Sequence, residues 1–183
     1  MGRPPDAVQT IPRRTVEALF HAEGIALTEP MRIELLALGV DLQALGPSYP
    51  LPLFRKLLDV ARRHAFADVP EAAGFRAVGR KWVAGFKHTP IGWVFRAMAP
   101  VFGADRTIQT LPRYLSSVRE DMPLAVVATG ERRYQLTSPD ASANVHFLAG
   151  CLEAVLETCG SATGQVAVTS TGPEGFVIDI SWT

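Results

Sequence analysis

The chain has 183 residues, 48% of them hydrophobic and 20% charged, and its formal net charge is zero. These proportions are typical of one compact folded domain and exclude a disordered chain, and no apolar run approaches the roughly 18 residues that cross a bilayer. The first residues lack a secretory apolar region. We therefore expect a cytoplasmic protein with a flexible tail over residues 1–10 and a single domain over residues 11–183.

The first two-thirds of the chain has the pattern of helices joined by turns. One short helix is predicted between Pro12 and Gly24, and a second is predicted from an N-cap at Thr28 to Gly39. The turn-forming stretch DLQALGPSYPLP then leads to LPLFRKLLDVARRHAF, whose apolar residues recur at helical spacing.

A long helix is predicted to begin at Pro70-Glu71, with apolar side chains at a 3.6-residue period as far as Phe86. Thr89-Pro90 must interrupt it, because proline has no N–H donor and its ring clashes with the preceding turn. A second helix resumes in GWVFRAMAPVFG and ends at Gly103, and ADRTIQTLPRYLSSVRED supplies another helical segment.

The last third changes to the period of strands around one helix. PLAVVATGERRYQLTSPD is β-branched with a turn at Gly130, SANVHFLAGCLEAVLETCG is amphipathic, and GQVAVTST and GFVIDISW alternate. The expected fold class is therefore α+β. An N-terminal helical part, residues 11–121, packs on a four-stranded antiparallel sheet formed by a β-β-α-β-β segment at the C-terminus, residues 122–183.

Charge is unevenly distributed between these parts. Residues 55–119 hold 12 basic and 4 acidic side chains, or +8, whereas residues 121–183 hold 2 basic and 7 acidic ones, or −5. Such a basic segment can mark a nucleic-acid face. Its cations are dispersed at helix-surface spacing, however, so we favour a solvated helical surface that complements an acidic patch.

Few residues have the spacing of a catalytic or metal site. The histidines stand apart from one another: His21, His64, His88 and His146. Cys151 and Cys159 are eight residues apart in one predicted helix, about 12 Å along its axis, which is too far for a disulfide. No nucleophile elbow or phosphate loop is present, and Glu153 and Glu157 are expected on an outward face. We therefore expect no metal, no cofactor and no enzymatic activity.

The stretch RAVGRKWVAGFKHTPIGWVF combines three glycines, two tryptophans and four basic residues. Glycine inside a helix costs about 1 kcal/mol relative to alanine, so Gly79 and Gly85 indicate close packing against another backbone. One interpretation is a core corner made of two helices and a kink. The other is an apolar pocket with basic residues at its mouth for an anionic head group. The candidate pocket residues are Trp82, Phe86, Trp93 and Phe95, and the basic ones are Arg80, Lys81 and Lys87.

The ordered segments GVDL, SYP, AVGRKWVAGFKHTPIG, FGADRTIQTLPRYL and GFVIDISW together resemble a paralogous family of uncharacterised proteins found in myxobacteria. The resemblance covers about residues 11–182. It implies no established activity and carries over no catalytic residues.

The order of helices followed by β-β-α-β-β with a terminal aromatic also resembles the haem–nitric-oxide-binding and 4-vinyl-reductase-type ligand-binding fold. In haem-binding members a helical histidine ligates iron and a Tyr-x-Ser-x-Arg motif holds the propionates. Here Tyr114 is followed by an arginine only at Arg119, one residue late, which turns that side chain by about 100° on a helix. His64 and His88 are the candidates for the iron ligand in the helical half, and haem is not expected.

The expected function is a non-enzymatic small-molecule-binding or signalling accessory module, with an apolar pocket between the helices and the sheet. The alternative is a homodimeric protein–protein interaction adaptor with a filled core. Nucleic-acid binding through the basic segment is a third and weaker possibility. A cavity of a few hundred Å³ would separate the first two.

Overall fold

A computed structural model describes residues 9–21, 23–118, 123–161 and 163–183, with the backbone alone for residues 114–118. None of the helices in these ranges is long and apolar enough to cross a membrane. The elements in chain order are β1 (Thr10–Pro12), α1 (Arg13–Leu19), α2 (Glu29–Ala37), β2 (Ser48–Pro50), α3 (Leu51–Ala65), α4 (Glu71–Phe86), α5 (Pro90–Val118), β3 (Ala125–Gly130), β4 (Arg133–Ser138), α6 (Val145–Thr158), β5 (Gln165–Gly172) and β6 (Gly175–Ser181).

The predicted α+β class is confirmed, including the β-β-α-β-β order at the C-terminus. The four-stranded sheet is antiparallel throughout, in the order β3-β4-β6-β5. Alternate residues of β6, Phe176, Ile178 and Ile180, are buried, while Asp179 between them is exposed. The period of two read from the sequence thus corresponds to one buried sheet face.

Helix α2 begins where its cap was predicted. The Thr28 hydroxyl accepts a hydrogen bond from the Met31 N–H at 3.4 Å, and Gly39 follows the helix with φ +79°. Among the helices, α2 packs mainly on α3, so only one stripe of it is covered. Ile33 lies outside this stripe and is therefore 57% exposed to solvent, although it is an apolar residue.

The segment before α3 contains structure that the sequence pattern did not predict. Ser48–Pro50 pairs antiparallel with Thr10–Pro12, so that Thr10 lies opposite Pro50. A strand of three residues is too short to show a period of two, and turn formers surround this one. Thr10, the last residue of the expected tail, is therefore in a strand, and residues 1–8 lie outside the described residues.

Two apolar clusters form the core, one mainly among the N-terminal helices and one mainly on the sheet. The helical cluster contains Leu19, Met31 and Leu57, and the sheet cluster contains Ile108 and Ile178, all of them buried. Leu148 of α6 packs against both clusters, so α6 lies at the boundary between the halves.

The halves meet where α4 and α6 approach each other through glycines. A Cβ atom on Gly79 would stand 2.1 Å from the Phe147 carbonyl oxygen, and one on Gly150 would stand 2.0 Å from the Arg76 carbonyl oxygen. Neither separation is possible for a real side chain, so both positions require glycine. The close packing inferred for Gly79 is present, as it is for Gly85, whose Cβ would lie 1.9 Å from the Ala18 carbonyl oxygen.

Ion pairs flank the same junction. Arg76 pairs with Glu153, and Arg80 pairs with Glu157 at 2.7 Å. Because the arginines belong to the basic segment and the glutamates to the acidic one, part of the charge asymmetry is internal pairing between α4 and α6.

Gly79→Ala is expected to destabilise the protein, because the new methyl group must displace the backbone of α6. Overpacking of this kind costs about 1–3 kcal/mol. Gly172→Ala is the matched control, since no atom lies within 4 Å of a Cβ there, and it should change stability by less than about 0.5 kcal/mol. Urea unfolding followed by circular dichroism measures both. Equal stability of the two variants would contradict the tight α4–α6 junction.

Candidate ligand cavity

A cavity of about 560 Å³ lies between the helical half and the sheet half. Its walls come from α1, α3, α4, α6, both halves of α5 and the sheet, and nearly all the lining is aliphatic or aromatic. Small-molecule sites usually have volumes of about 300–1,000 Å³. In size and polarity this cavity therefore belongs to the class of small-molecule sites.

One stripe of α6 forms its inner wall. The helix begins at Asn144, whose side-chain oxygen accepts a hydrogen bond from the Phe147 N–H at 2.9 Å. From there the helical period brings side chains one and two turns further along to the same face. The lining residues of this stripe are Asn144, Phe147, Leu148, Cys151, Leu152 and Val155.

The first half of α5, residues 90–102, forms the outer wall. It starts as predicted at the Thr-Pro break, where the Thr89 hydroxyl accepts a hydrogen bond from the Gly92 N–H at 3.1 Å. It ends at Gly103, whose φ of +72° breaks the helical path. Phe95 and Ala99 face the cavity, whereas the opposite side of this wall is in solvent.

Three of the predicted pocket aromatics line this cavity: Trp82, Phe86 and Phe95. Trp82 is fixed in place, because its indole N–H donates to the Thr15 carbonyl at 2.9 Å and its ring stacks on Phe86 with centroids 5.2 Å apart. Trp93 does not line the cavity and is 65% exposed. It occupies the solvent side of α5.

The predicted basic residues are not at the mouth of this cavity. Arg80 and Lys87, together with Lys81, line a separate and shallower depression that also includes Glu157. At about 100° per residue, Arg80 and Lys87 lie about 20° apart around the helix axis and 140–160° from Trp82. They therefore project away from the aromatic face of α4, and Arg80 is held by Glu157.

The cations that do line the cavity are Arg14 of α1 and Arg55 of α3. From the sequence, Arg55, the first residue of the basic segment 55–119, is expected on a solvated helical surface. The sequence does contain a signal that Arg55 can reach the cavity. It follows Leu51 by four residues and precedes Leu58 by three, which places it at the edge of the apolar stripe of the helix. Long side chains at such an edge can reach around it.

Cys151 is the one thiol in this lining, among the residues that the structure describes. Its sulfur donates to the Gly79 carbonyl at 3.5 Å, and burial raises the pKa of the thiol. The pKa of Cys159 is also raised by burial. Both sulfurs are free thiols, as predicted, and the protonated form of each is favoured.

A family profile described as a protein of unknown function (DUF2378) matches residues 9–183. The chain belongs to this family. The resemblance to a family of uncharacterised proteins is thereby confirmed, and its restriction to myxobacteria stays an expectation. No curated protein matches the DUF2378 chain.

Solved structures of H-NOX proteins share the fold of this DUF2378 protein. An H-NOX protein from S. oneidensis in the Fe(II)NO ligation state has a TM-score of 0.66 at 12% identity, covering 94% of this chain and 99% of that one. A mutant H-NOX protein from K. algicida, Fe(II) unliganded, has a TM-score of 0.64 at 11% identity, covering 94% and 97%. An oxygen-binding H-NOX domain related to soluble guanylate cyclases has a TM-score of 0.63 at 11% identity, covering 93% and 90%. The fold-level resemblance is confirmed, and at these identities it concerns the fold alone.

The described cavity residues do not fit haem iron, which proteins hold through His, Cys thiolate, Tyr, or Met together with His. All four histidines lie elsewhere: His64 is 2.8 Å from Glu34, and His88 is 3.0 Å from Glu23 and stacks on His21. Of the remaining described donors, Met98 has no histidine beside it and Cys151 is held as the thiol. The predicted departure at Tyr114 to Arg119 lies outside the residues whose side chains are described.

Alkylation of Cys151 in the folded protein is expected to be slow, because the thiolate is the reactive form and burial disfavours it. In a Cys159→Ser variant treated with iodoacetamide at pH 8, we expect labelling about tenfold or more slower than for the same chain in urea. Because the pKa of Cys151 is raised, its alkylation rate in the folded protein should still increase with pH above the pH at which the alkylation rate of a free thiol becomes constant. Equal folded and unfolded rates, measured by mass spectrometry, would contradict this environment.

Proposed function

We propose that this protein is a non-enzymatic small-molecule-binding module that holds an apolar ligand between its helical half and its sheet. The observation that carries the proposal is the cavity of about 560 Å³ with its almost wholly apolar lining. Protein interiors are close-packed, with few voids larger than a water molecule. A void of this size is therefore better explained by a ligand than by packing.

The fold neighbours support the same interpretation at a coarser level. They are described as an oxygen-binding H-NOX domain and as an H-NOX protein with Fe(II)NO ligation, so proteins of this fold bind small molecules. Haem itself is not carried over to this chain, because its described cavity residues offer no fitting iron ligand.

A signalling role can follow from the position of residues 90–102. This segment is bounded by the Thr89-Pro90 break and the positive φ of Gly103, and one of its sides lines the cavity while the other is in solvent. A ligand that packs against Phe95 and Met98 would change how firmly this segment is held, and a partner on its outer side could read that change.

A homodimeric adaptor is the second candidate, and the outer side of the same segment favours it. Trp93 and Val101 are 65% and 75% exposed, and neither lines the cavity. Contiguous exposed apolar residues often mark protein interaction sites. The adaptor expected from the sequence has a filled core, and the present candidate does not require one. A dimer would be detected as a molecular mass that increases with protein concentration.

Leu148→Trp is expected to obstruct ligand binding, because Leu148 lines the cavity at the boundary of the two clusters and a larger ring there occupies part of the ligand's space. Native mass spectrometry of the purified wild type should show an adduct that is lost on denaturation, and the variant should not show it. Ile33→Trp is the matched control, at an exposed position outside the cavity, and it should keep the adduct.

If Leu148→Trp unfolds, as judged by circular dichroism, Ala143→Phe at the edge of the cavity replaces it. An adduct that survives in a folded occluded variant would contradict the cavity as the binding site. A bare wild-type chain that also fails to bind any apolar probe would contradict the function itself.

A further inference from the structure

We propose that the ligand is a single-chain amphiphile whose anionic head binds Arg55 and Arg14 while its apolar chain fills the cavity. This inference rests on the proposed binding function and specifies the class of ligand. It is based on the charges of the residues that line the cavity.

The charge of the lining has one sign. Within the described part of the chain, the charged residues of the wall are Arg14 and Arg55, and no aspartate or glutamate lines it. Cationic side chains in a binding wall attract an anionic group and disfavour a cationic one. The wall therefore complements an apolar molecule that carries a negative group.

Arg55 is set apart from its neighbours on α3. Arg62 is paired with Asp59 at 3.2 Å and Arg63 with Glu34 at 2.5 Å. No carboxylate of the described residues lies within ion-pairing distance of Arg55. Within the described ranges, Arg62 and Arg63 therefore have carboxylate partners and Arg55 has none.

A hydroxyl orients the Arg55 side chain without neutralising it. The Nη2 group of Arg55 donates to the Ser142 hydroxyl, which in turn donates to the Asp140 carboxylate. Guanidinium has five N–H donors in a planar fork, so the others can reach a carboxylate or phosphate in bidentate geometry. The Asp140 carboxylate lies beyond the Ser142 hydroxyl and accepts a hydrogen bond from it.

Two further polar residues, Arg14 and Asn144, belong to the same cavity lining as Arg55. Arg14 lies in the first turn of α1 and Arg55 in the second turn of α3, and both side chains line the cavity. Asn144 also lines the cavity, and its side-chain oxygen is used by the Phe147 N–H, which leaves the amide N–H₂ to face a head group.

The remaining wall is suited to a hydrocarbon chain. Phe54 of α3, Phe95 of α5, and Phe147 and Leu152 of α6 line the same space. Burial of one methylene group contributes about 0.8 kcal/mol, which is about fourfold in affinity. Affinity should therefore rise by about this factor for each added carbon until the cavity is full.

Isothermal titration calorimetry with defined amphiphiles tests the inference. We expect octanoate, decanoate and dodecanoate to bind at one per chain, with affinity rising along the series. Decanol should bind about tenfold or more weakly than decanoate, and decyltrimethylammonium should bind no better than decanol. Decyl phosphate, compared with decanoate, shows which anionic head is preferred.

Arg55→Met tests the assigned residue. It should weaken decanoate binding about tenfold or more and leave decanol binding unchanged, since it removes the charge and keeps most of the side-chain volume. Arg96→Met is the control, because Arg96 is exposed on α5 and does not line the cavity. If Arg55→Met does not fold, Arg14→Met is measured in the same way.

The outcomes separate this inference from the function on which it rests. Equal binding of decanol and decanoate, or unchanged decanoate binding in both folded arginine variants, would overturn the anionic head group while leaving an apolar site. Failure of decanol and of every amphiphile to bind would overturn both.

Discussion

The contact on which the rest of this structure depends is the approach of α4 and α6 through Gly79 and Gly150. Each glycine stands against a backbone carbonyl of the other helix at a distance that no side chain would permit. Because α4 belongs to the helical half and α6 to the β-β-α-β-β half, this contact sets the distance between the two halves. Arg76–Glu153 and Arg80–Glu157 lie along it and help to fix the relative position of the helices.

The cavity follows from this junction. The halves touch closely at α4 and α6, and beside this contact one stripe of α6, the aromatic face of α4 and residues 90–102 line an apolar space. H-NOX proteins share this fold. In this chain the described cavity lining contains arginines and no fitting iron ligand, and a shared fold does not by itself determine what is bound.

Much of the fold could be predicted from the sequence because its signals are local. The cap at Thr28, the break at Thr89-Pro90 and the alternation of Phe176, Ile178 and Ile180 each depend on neighbouring residues only. The cavity could be predicted in part, since Trp82, Phe86 and Phe95 line it. Arg14 and Arg55 could not, because their place in the lining depends on which helices surround the cavity in the folded chain. Arg80 was assigned to the mouth of the cavity because its actual partner, Glu157, is 77 residues away in the sequence and cannot be recognised from neighbouring residues.

The most direct test of this account is a crystal structure of the protein pressurised with xenon, which binds in apolar cavities. We expect bound xenon, or electron density for a ligand retained through purification, in the space between Phe54, Phe147 and Leu152. A structure with neither, in which Phe95 and Met98 of α5 fill that space, would contradict the claim that the interior between the two halves is a binding site.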